Sequence, residues 1–159
     1  MRTKLFLVLS SLTAPLLAAQ SATPSLERYV GQYPSTKLKG VDFRHHPVVR
    51  RAVAGAISSR IAKTILNDLH VESPIRRAGS LLISEACEAH SCNTHQGTVV
   101  VRSPGGPGAV CYYNEDLMGA EGRWFVSGRP IYNSPAGCWS GDSTAVPDRV
   151  RAALLRAQR

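Results

Sequence analysis

Cys87 and Cys92 bracket four residues in the run Ser84-Glu85-Ala86-Cys87-Glu88-Ala89-His90-Ser91-Cys92-Asn93-Thr94-His95-Gln96, which has almost no apolar side chain to bury. Such a cluster folds either around a metal or as a disulfide-closed ring, and the compartment decides which. Met1-Arg2-Thr3-Lys4 is a short basic start, and Leu5 to Leu17 is an apolar stretch broken by Ser, Thr and Pro. Residues 18–22 then offer small side chains to a signal peptidase. This is the plan of a secretory signal over residues 1–22, with cleavage expected between 18 and 22. The stretch falls short of the ~20 apolar residues a spanning helix needs, so no membrane span is expected.

Export to an oxidising compartment predicts two disulfides from the four cysteines, with three connectivities to choose from. Cys111 lies in a strand-like run and Cys138 in a turn-rich stretch. Pairing these two would tie the late sheet to a loop, leaving Cys87 and Cys92 to close the small ring. That is the expected arrangement.

Other chemistries fit less well. Cys87, His90, Cys92 and His95 are four ligand types within nine residues, whereas a structural zinc site spreads its ligands as two pairs a dozen or more residues apart. A nucleophilic cysteine needs a reduced thiolate, and here a second cysteine stands ready to oxidise the first. No paired carboxylates or phosphate-binding glycine loop occur, and Gly105-Gly106-Pro107-Gly108 reads as a turn. Neither an enzyme, a metal nor a cofactor is expected. The formal charge of +8 loses Arg2 and Lys4 with the signal, leaving +6. These cations are scattered rather than gathered in the dense stripe of a nucleic-acid surface, so no nucleic-acid partner is expected.

Residues 23–159 have the length of one domain with its own core. From Pro47, the positions Val49, Val53, Ile57, Ile61, Ile65 and Leu69 recur every four residues. A four-residue step overshoots a helical turn by roughly 40°, so a break near Gly55 to Ser59 is expected. Leu81-Leu82-Ile83, Thr98 to Arg102, Ala109 to Tyr113 and Arg123 to Ser127 are β-favouring runs joined by short turns, which suit antiparallel neighbours. Val146, Val150 and Leu154 return to helical spacing. The fold expected is α+β: an antiparallel meander of four to five strands with helices packed on it. Trp124 is read as core, and His45-His46 as incidental to a helix start.

Cys87 to Gln96 then connects two strands, and a disulfide across such a connection removes loop freedom before binding. His90 sits inside the ring beside small Ala89 and Ser91.

The stretch Leu81 to Asn93 resembles the strand and protruding C-x-x-H-x-C loop of the inhibitor of vertebrate lysozyme (Ivy) family. The exported start, Gly31-Gln32-Tyr33-Pro34, the amphipathic helices, the meander with Trp124-Phe125 and the helical tail follow the order of that family. The resemblance implies a periplasmic protein of a Gram-negative bacterium whose partner is c-type lysozyme. Cys87 and Cys92 would clamp an inhibitory loop of Glu88, Ala89, His90 and Ser91, and His90 would enter the enzyme's cleft against the catalytic carboxyls, with no bond made or broken. Ala89 and Ser91 stand where family loops commonly carry Pro and then Asp or Asn. Glu85 and Glu88 are expected to supply negative charge toward a basic enzyme, and His95, outside the ring, is expected to matter much less than His90. The alternative is a binding module of the same fold that engages an endogenous envelope enzyme, such as a lytic transglycosylase, or another periplasmic partner. Association of two copies as a homodimer is left open.

Overall fold

The computed structural model describes residues 23–135, 137–139 and 146–159; the expected signal segment lies outside them. A short 3-10 turn, Leu26–Tyr29, leads to α1 (Pro47–Ala56) and α2 (Ser59–Asn67). The four-residue apolar step is repaired where expected: Ile57 is extended, with φ −146° and ψ 165°, and Ser58 begins a new helix with its stripe re-aimed at the sheet. At the start of α1, His46 Nδ1 accepts from the Val48 N–H at 3.2 Å, and Nε2 donates to the Pro24 carbonyl at 2.9 Å. His46 is thus a helix cap that pins the N-terminal segment, and His45 is held by Asp42 at 2.8 Å.

Among the described residues seven strands follow instead of four or five: β1 (Val71–Glu72), β2 (Arg76–Ala78), β3 (Leu81–Cys87), β4 (His95–Arg102), β5 (Ala109–Asn114), β6 (Gly122–Val126) and β7 (Arg129–Ser134). All neighbours are antiparallel. β3 to β7 form the anticipated meander, while β1 and β2 both pair with β3, toward its opposite ends. The extra strands hide from pattern reading for physical reasons. β1 and β2 are an edge interrupted at Pro74 and too short to alternate, and β7 carries Pro130, which is tolerated because it too lies at an edge. A single-turn helix, α3 (Glu115–Met118), follows β5, and α4 (Asp148–Arg156) closes the chain.

The sheet is covered on both faces. Val49, Val53, Ile57, Ile65 and Leu69 pack on Leu82, Ala86, Val99, Val101 and Val110. On the opposite face Val150, Ala153 and Leu154 of α4 meet Leu81, Ile83, Val100, Cys111, Trp124 and Val126. Each such Val, Leu or Ile contributes roughly 1.5–3 kcal/mol on full burial. β3 is therefore buried at every residue, the polar Ser84 and the acidic Glu85 included. At Gly97 a Cβ would lie 3.2 Å from Ile65 Cγ1 of α2 and 2.8 Å from Leu69 Cδ1 just beyond the helix, so α2 and its C-terminal end press closely on β4. Among the described residues, no helix is long and apolar enough to cross a membrane.

Candidate functional site

The β3–β4 hairpin ends on the pair Cys87 and Gln96, and the last backbone bond before the tip runs from Glu88 N–H to the His95 carbonyl at 3.1 Å. The connection is shorter than the Cys87 to Gln96 span expected from sequence. It comprises residues 88–94, and His95, expected in the loop, is the first residue of β4. Cys87 is fully buried and is bonded to Cys92 with 4.9 Å between Cα atoms, while Cys111 is bonded to Cys138. Inside the small ring, Ser91 N–H donates to the Glu88 carbonyl at 3.0 Å, turning the chain at Ala89 and His90. The Ser91 carbonyl then accepts from the N–H groups of Thr94 and His95 at 3.0 and 2.7 Å, which winds the exit of the ring. His90 is exposed and has φ +66°, in the left-handed region that histidine, asparagine and aspartate visit more readily than other non-glycine residues.

Two groups hold this tip to the sheet. On the α2 side, His95 Nδ1 lies 2.7 Å from Glu88 Oε2, and Nε2 lies 3.0 Å from the Tyr112 hydroxyl. Nδ1 is placed to donate to the Glu88 carboxylate, and Nε2 pairs with the Tyr112 hydroxyl, which can act as donor or acceptor. Burial pushes the Tyr112 phenol above its ordinary pKa, opposed by its hydrogen bond with Asn114 and by the nearby Arg60 and aided by the Glu88 and Asp68 carboxylates. On the other side, the Gln96 amide is 7% exposed. Its Nε2 donates to the Cys92 carbonyl at 2.6 Å, while Oε1 accepts from the N–H groups of Cys138 and Trp139 at 2.6 and 2.8 Å. Beside the tip, a groove of about 320 Å³ is lined by Arg60, Asp68, Glu88, His95, Tyr112 and Leu117, and Leu117 is 65% exposed.

The structure redistributes the roles anticipated for the acids and for His95. Glu85 is 1% exposed, and its Oε2 lies 2.7 Å from Arg76 Nη2, so it belongs to the interior and offers no charge to a partner. Of the two glutamates, only Glu88 reaches the surface. His95 is joined to the ring through Glu88 rather than standing apart from it. Trp124 is core. Gln96 and Tyr112 were not anticipated, and His95 and Gly97 on either side of the glutamine give no local sign that its amide is buried. Among the described residues no three His, Cys, Asp or Glu side chains gather closely enough to hold a metal ion.

The antiparallel sheet, covered on both faces, thus projects a disulfide-closed hairpin that carries an exposed histidine. Residues 48–105 match the family model described as Inhibitor of vertebrate lysozyme (Ivy). The matched span runs from the first turn of α1 through the β3–β4 hairpin, and Cys87, His90 and Cys92 lie within it. No curated protein and no solved structure matches the chain.

Proposed function

We propose that this chain is an exported, periplasmic inhibitor of c-type lysozyme that acts by seating His90 in the enzyme's active-site cleft. The family match supports lysozyme inhibition as the general activity. The observation that carries the finer reading is the exposed imidazole at positive φ inside the Cys87–Cys92 ring. A retaining glycosidase keeps two carboxyl groups about 5–5.5 Å apart. An imidazole between them can address both, as a double donor when protonated or as donor and acceptor when neutral. Inhibition then follows from occupation of the cleft, and the inhibitor needs no catalytic group of its own. The ring, closed in advance, loses little conformational freedom on binding, and Glu88 supplies the negative charge at its rim.

The test is a titration of a hen-type lysozyme with the oxidised, folded protein, reading muramidase activity and complex formation together. The expected result is stoichiometric loss of activity with a one-to-one complex. A folded protein with both disulfides intact that leaves a panel of c-type lysozymes fully active would overturn the reading and turn the search to an envelope enzyme of the producing cell.

A further inference from the structure

Gln96 links two segments that are distant in the chain. One end of its amide holds the Cys92 carbonyl of the ring, and the other holds the N–H groups of Cys138 and Trp139. Cys138 is itself fixed by its bond to Cys111 in β5 and by the Thr98 hydroxyl, which donates to its carbonyl. The close approach is specific: Gly137 has φ +77°, and a Cβ there would come within 2.5 Å of Gln96 Oε1. Only glycine meets both conditions without strain. A buried amide with both ends engaged has little freedom to exchange partners, because each lost bond would leave a polar group without water. Within the ring itself, the tip is turned by the Ser91 to Glu88 bond.

We propose that Gln96 is a positioning residue of the ring: it transmits the hold of the Cys111–Cys138 disulfide to the Cys92 carbonyl, so a disulfide outside the ring sets how rigidly His90 is presented. The consequence for inhibition rests on the function proposed above, whereas the coupling itself can be read without any enzyme.

Two variants separate the ends of the amide. Gln96→Glu keeps an oxygen for Cys138 and Trp139 but removes the N–H directed at Cys92, and Gln96→Met removes both. Hydrogen exchange of the amides in residues 88–95 and 137–139 is compared with the parent, alongside the dissociation rate from hen-type lysozyme. At neutral pH, Gln96→Glu is expected to lower protection in the ring by about tenfold, the scale of one net hydrogen bond, while residues 137–139 keep theirs. Acidification that protonates the new carboxyl returns a donor to the Cys92 carbonyl, so ring protection should recover toward the parent value at the same pH. Gln96→Met should loosen both segments at every pH, and dissociation should quicken in step with lost ring protection.

Unchanged ring protection in a folded Gln96→Met protein would overturn the proposal. So would a Gln96→Glu ring that fails to tighten on acidification, since a packing defect has no reason to respond to protonation. Should the methionine variant not fold, the pH response of the glutamate variant decides alone. If the parent binds no lysozyme, the inhibitor function falls and the exchange pattern still judges the brace.

Discussion

Replacing His90 by glycine and, separately, by alanine distinguishes a ring that works through its imidazole from one that works through its shape. The backbone at His90 has φ +66°, a conformation that costs a residue with a Cβ roughly 1–2 kcal/mol. Glycine removes that cost but gains freedom in the unfolded chain, so His90→Gly should be as stable as the parent or more stable by up to about 1 kcal/mol. His90→Ala keeps the strain and loses only an exposed side chain, a change that typically stays within about 0.5 kcal/mol. Both variants lack the ring nitrogens. If the imidazole sits desolvated between carboxyls, truncation should weaken binding by roughly 2–5 kcal/mol, or about 30- to several-thousand-fold. The assay pairs thermal melting of the free protein with inhibition of a c-type lysozyme. Loss of inhibition in both variants at nearly constant melting temperature is the expected result. A glycine variant that inhibits like the parent would refute the key role of the imidazole, and inhibition that tracked stability would assign the effect to backbone shape.

Three further outcomes follow from the same geometry. His95→Ala cuts the Glu88 tether and should weaken inhibition between about twofold and tenfold, the scale of one net hydrogen bond and well below the effect of His90→Ala; an effect as large as that of His90→Ala in a competitive assay would place His95 in the interface itself. Arg76→Met removes the cation beside the buried Glu85 carboxylate and should lower stability by up to about 3–5 kcal/mol in chemical denaturation, with a smaller loss when Glu85 is replaced as well; a change under about 1 kcal/mol would mean that the other partners of Glu85 suffice. Tyr112 has its phenol pKa raised from 10.0 chiefly by burial, so its contribution to stability is complete below pH 10.0, the value expected of the unfolded chain, and is lost as pH rises through the higher folded value. Tyr112→Phe should therefore flatten the alkaline arm of the stability profile measured by denaturant titration, and an unchanged arm would contradict the shift.

The layer arrangement was legible wherever side-chain periodicity reports burial. The four-residue apolar step from Val49 to Leu69 implied both helices and the break between them, because such a step cannot follow one face for long. Strands with many β-branched residues, such as β4, declared themselves. β1, β2 and β7 did not, since two or three residues hold no period and Pro130 is a signal against a strand unless the edge location is known. At the site, Cys87, His90 and Cys92 were readable because their spacing is local. The supporting contacts were not. His95 to Tyr112 and Gln96 to Cys138 depend on strand register and on a segment returning from far along the chain. The burial of Glu85 was hidden for the same reason: its partner Arg76 lies on another strand, and an acid between Ser84 and Ala86 looks like surface until that strand is placed.

Both margins of the sheet resist further growth. One is cut into two- and three-residue pieces around Pro74, carrying Arg76 and Arg77, and the other begins with Arg129 and Pro130. Short, charged and proline-bearing borders offer poor templates for recruiting another chain by backbone pairing. The backbone ladders of the sheet thus stay closed to neighbours. On the function proposed above, encounters fall to a polar turn, and they are governed by side-chain fit and not by the indiscriminate adhesiveness of an open β-edge.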